Sequence, residues 1–185
     1  MKRSLGLFAT LVALCLSAPT FAHAQDDQEP GPRGAHKALQ LSTAGAMIVT
    51  ATMGTIAAMN QPTLFSDGRC ASGSPIFGEY GCHGFSTLHG LMALLTSVLY
   101  TATVTLEFAA FDWPGRDRHG SAYEAASYVH LVGMALQPIG GLLAAVPEVV
   151  GAERNGTFSR VLRTIHLFTG YAIVGTFVVT AAIEL

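Results

Sequence analysis

The stretch TIHLFTGYAIVGTFVVTAAI, residues 164–183, runs for twenty residues without a charged side chain. A helix needs about 20 mainly apolar residues to cross a bilayer, whereas a helix on a soluble surface interrupts such a run with a polar face. Three further stretches read the same way: Ala38–Asn60, Gly90–Leu106 and Ala125–Val146. Their even apolarity does not match barrel strands, which alternate over about ten residues. Gly and Ala recur inside them, as expected where helices pack in lipid without a hydrophobic drive between them. The expected fold is all-α and integral to a membrane, a bundle of four transmembrane helices.

Composition agrees. Of 185 residues, 50% are hydrophobic and only 12% charged, about half the share of charge in a soluble domain; the mean hydropathy is +0.43. Lys and Arg number 10 against 12 Asp and Glu, with no basic cluster. That argues against nucleic acid as a partner and leaves membrane lipid as the expected surrounding. At the start, Met1-Lys2-Arg3 is a positive segment, Leu5 to Leu16 a short apolar run, and Ala22-His23-Ala24 a small-residue cleavage pattern. These three parts read as a secretory signal peptide over residues 1–24. Cys15 does not make it a lipoprotein leader, because Leu14 stands where a small residue is needed. A polar extracytoplasmic segment, 25–35, is expected next, followed by the membrane domain, 36–185.

Orientation rests on that leader. Arg69, Arg154, Arg160 and Arg163 on the expected inner side balance Arg33, Lys37, Arg116 and Arg118 on the outer, so the positive-inside rule is silent. The expected location is a bacterial-type inner membrane, crossed several times, with the N-terminus outside. Pro114-Gly115 and Asn155-Gly156 mark turns. Ser121 to Glu124 has the form of a capping box opening the third span, and Pro138 is expected to bend that span.

Four of the seven His carry the chemistry. His36, His89, His130 and His166 each stand toward the N-terminal end of one span. Successive spans run in opposite directions, so the sequence predicts two layers: His36 with His130 near the outer face, His89 with His166 near the inner. A lone His at such a place is ordinarily an interfacial residue, but one in every span is costly to keep without use. Catalytic zinc wants three close protein ligands, which two separated pairs do not offer. Two facing imidazoles suit the axial positions of haem iron. With no C-x-x-C-H motif the haem is expected to be b type, held without a covalent link, two per chain. Gly90, Gly133 and Gly170, shortly after their His, either make room for the macrocycle or serve helix packing. Arg163 and Lys37, close to His166 and His36, suit haem propionates and equally suit snorkelling to the interface. Met47, Met53, Met92 and Met134 read as packing.

These residues carry a resemblance. His36 opening a helix that ends in TMGTIAA (52–58), then LHG (88–90), YVHLVG (128–133) and RTIHLFTGY (163–171), resemble the four core helices of the cytochrome b561 superfamily. The likeness is to the cytochrome b561/ferric reductase transmembrane type, here without a DOMON domain, and spans about 36–185. It implies a di-haem cytochrome that carries electrons across the membrane, ferric reductase-like, with the His paired as above. The donor and acceptor are unnamed, a periplasmic redox protein being one expected partner and a homodimer an allowed assembly.

Two other classes compete. Cys70 and Cys82 share the Gly- and Ser-rich loop 61–85, as a four-helix membrane thiol oxidoreductase would require, although eleven residues separate them where such enzymes favour C-x-x-C. A disulfide belongs on an oxidising side, while the leader places this loop inside, where both thiols are expected free. The other competitor is a non-catalytic assembly subunit of a membrane complex.

Overall fold

The computed structural model describes residues 32–83, 85–110 and 119–184. Four long helices dominate: α1 (Pro32–Asn60), α3 (Phe85–Ala110), α4 (Ser121–Ala145) and α5 (Thr157–Glu184). A short α2 (Gly78–His83) precedes α3, and a 3-10 turn, η1 (Pro147–Val150), follows α4. All four long helices are long and apolar enough to cross a membrane. In lipid only structures that satisfy every backbone group internally are stable, and these segments do so as helices. Large apolar side chains point away from the bundle, among them Leu94, Val98, Val132, Leu136, Phe168 and Val179. An outward apolar surface of this extent belongs to a multi-pass membrane protein.

α1 packs along α3 and α4 along α5, and α1 also lies against α5. Ala46, Met53, Leu88 and Met92 form the α1–α3 core. Met47, Tyr100, Val104, Ile173, Phe177 and Ala181 join α1, α3 and α5. Hydroxyl pairs cross the α1–α3 seam, Thr43 with Thr103 and Thr50 with Thr96, each at 2.8 Å. Such bonds let helices associate where burial of apolar surface gives no advantage over lipid. Gly133 shows how tightly α4 meets α5: a Cβ there would lie 2.4 Å from Ile173 Cγ1.

The loop after α1 is tied back to it. Asn60, fully buried, donates from Nδ2 to the carbonyls of Ile76 and Gly81 and accepts from the Ile76 amide. Cys70 and Cys82 are joined by a disulfide. The free thiols expected from the leader are thus replaced by a bond that suits an oxidising compartment.

Two expectations change at helix ends. The signal peptide, 1–24, lies outside the described residues, and the polar segment 25–35 becomes helical from Pro32 onward. The expected capping box is absent: Gly120 caps α4 at φ 85° with no side-chain bond, and its carbonyl accepts from the Glu124 amide. α4 contains Pro138 and is continuous through it.

Candidate functional site

His89 and His166 are brought together. The first lies on the second turn of α3, the second on the third turn of α5, and their ring centroids are 6.1 Å apart at 74° between planes. Two imidazoles sharing one metal through bonds of about 2 Å hold their centroids roughly 6 Å apart, so the spacing matches a common axial pair. His89 Nδ1 lies 3.0 Å from the Thr50 carbonyl, to which it donates. Donation from Nδ1 leaves the lone pair on Nε2, which is how protein surroundings prepare a metal-binding His. His166 Nδ1 is buried and has no hydrogen-bond partner among the described residues.

Glycines make the room, though not those singled out from sequence. A Cβ on Gly54 would sit 2.9 Å from His89 Cε1, and one on Gly141 would sit 3.0 Å from His166 Cε1. Gly90 meets nothing within 4 Å, Gly133 accommodates Ile173, and Gly170 accommodates the Gln137 amide. Gln137, on α4, braces the turn that carries His166. Its amide donates to the His166 carbonyl at 2.9 Å and its oxygen accepts from Thr169, holding α4 and α5 in register beside the ring.

The other two His are each seated against other side chains. His36 is buried with Nε2 3.8 Å from Glu107 Oε2. His130 is buried between Tyr100, whose hydroxyl is 2.8 Å from Nδ1, and Phe177, whose ring centroid is 5.3 Å away. Glu107 and Tyr100 stand two turns apart on α3, about 10 Å along its axis. His36 is in the second turn of α1 and His130 in the third turn of α4, the same offsets that His89 and His166 have in their own helices.

Arg163 is engaged by carbonyls, donating to Ala144, Pro62 and Arg154. It ties the end of α4 to both neighbouring loops. Lys37 is half-buried beside His36. Met47, Met53 and Met92 are core residues. Two carboxylates not singled out from the sequence, Glu107 and Glu184, lie with His36 in one group. The signal available was that each ends an apolar span and would be costly to bury alone. Scans of family models, of curated proteins and of solved structures return no match to this chain.

Proposed function

We propose that the chain is a b-type cytochrome of the inner membrane, moving electrons across the bundle through haem carried between His89 and His166. The observation that carries this reading is the 6.1 Å separation of those rings, with one already oriented by the Thr50 carbonyl. The donor set fits the group: two imidazoles, one nitrogen buried without a partner among the described residues, and glycine at each ring. The four quoted motifs, in order, support a cytochrome b561-like assignment. When bound, haem supplies one-electron exchange between ferric and ferrous iron.

The residues of the chain bind, orient and insulate. Thr50 fixes the tautomer of His89, while Gln137 and Thr169 hold the His166 turn. The apolar helix faces exclude water, which sets the dielectric around the iron and hence its potential. A second haem on His36 and His130, expected from sequence, would draw on two rings that already face Glu107 and Tyr100. The test is a pyridine haemochrome assay on protein from haem-replete cells. We expect one haem b per chain, with reduced-minus-oxidised bands of a six-coordinate cytochrome. A value near zero ends the reading, and a value near two restores the second site.

A further inference from the structure

At the end of the bundle far from the His89–His166 pair, all four long helices send polar side chains to one place. His36 and Gln40 come from α1, Glu107 from α3, Tyr123 from α4 and Glu184 from α5. One ligand atom each from His36, Glu107 and Glu184 lie within 4.8 Å of one another. His36 and Glu107 are both 6% exposed. Glu184 is gripped from two sides, Gln40 Nε2 donating to one oxygen and the Tyr123 hydroxyl to the other. Two acceptors are left over: Glu107 Oε1 and, on a residue 3% exposed, Gln40 Oε1, both buried without a hydrogen-bond partner among the described residues.

Two carboxylates brought together, Glu107 buried and Glu184 partly so, repel, and burying such charge costs several kcal/mol unless compensated. A proton shared between them relieves the charge but leaves an acceptor oxygen on Glu107 unused. A divalent cation relieves the charge and also employs the nitrogen and the spare oxygen. One imidazole with two carboxylates and an amide oxygen nearby is a mixed N,O donor set, which suits manganese, ferrous iron or zinc. Tyr123 and Gln40 already hold Glu184 as outer partners hold a metal ligand.

We propose that His36, Glu107 and Glu184 bind one divalent first-row transition-metal ion at this end of the membrane domain. The site does not depend on the haem reading, and it gives His36 a partner set other than His130.

The experiment uses the full chain purified in detergent, stripped with chelator and equilibrated against Zn²⁺ as the probe, with zinc and haem measured on the same sample. We expect one saturable zinc per chain. Glu107→Gln and Glu184→Gln should each abolish it, and Tyr123→Phe should weaken it by roughly tenfold. Glu148→Gln, on η1 at the opposite end, should leave it unchanged. His36→Ala should lose zinc while keeping its haem content. Helical circular dichroism and gel-filtration profile confirm that each variant is folded, and two independent carboxylate variants guard against one that is not. Absence of saturable zinc in the wild type overturns the proposal, as does wild-type zinc in both carboxylate variants. So does a protonated-carboxyl infrared band that persists in saturating zinc, which would mean a shared proton. A fall in haem content in His36→Ala would likewise overturn it by giving that imidazole to iron.

Discussion

Gly54 and Gly141 mark the two places where the protein gives up a side chain for the sake of a His ring. Forcing a methyl group against a packed neighbour costs about 1–3 kcal/mol, so Gly54→Ala should weaken haem retention by roughly five- to 150-fold. Gly45→Ala, with nothing within 4 Å of the added carbon, should have no such effect. Haem content after passage over apomyoglobin as acceptor distinguishes them. The His variants extend the test. His89→Ala and His166→Ala should each remove the six-coordinate spectrum, while His130→Ala should keep it and lower thermal stability through lost packing against Tyr100 and Phe177. Equal spectral loss from His130→Ala would place a ligand where we place a packing residue. The His were legible in the sequence because an imidazole in an apolar span stands out. The glycines at the rings were not, since a small residue looks the same whether it faces a ring or a helix, and only the crossing of α1 with α3 and of α4 with α5 tells them apart.

Arg163 shows how an element end is secured. Its three bonds satisfy the Ala144 carbonyl at the close of α4 and two loop carbonyls. A hydrogen bond from a charged group contributes about 1.5–3 kcal/mol. Arg163→Ala should therefore lower the unfolding temperature in detergent with the haem bands unmoved. A shift in midpoint potential without loss of stability would instead assign this guanidinium to a propionate. The four spans were readable from charge-free length alone, but each helix extends past its window: α1 begins at Pro32 and α5 at Thr157, well before Ala38 and Thr164. Absence of charge marks the hydrocarbon layer, whereas helical hydrogen bonding continues through the interface, where Lys37, Arg160 and Arg163 remain hydrated or paired.

Across the whole molecule, the disulfide and the leader make opposite claims about which side the 61–84 loop faces. The bond favours the oxidising side, so we expect Cys70 and Cys82 in intact cells to resist an impermeant maleimide until an impermeant reductant is added, and then to react. Labelling that needs a permeant reductant and a permeant reagent would return the loop to the inside, as the leader implies. The pairing of helices carries one more consequence. α1 with α3 and α4 with α5 form two antiparallel hairpins, and the proposed iron ligands come one from each. Ribosomal order completes the first hairpin before the second exists, so cofactor capture can only be a late event in biogenesis. Haem then acts as a rivet between halves made at different times, and by mass action it stabilises the joined form. Cells starved of haem should therefore hold a chain that inserts normally but turns over faster, its lifetime reporting cofactor supply.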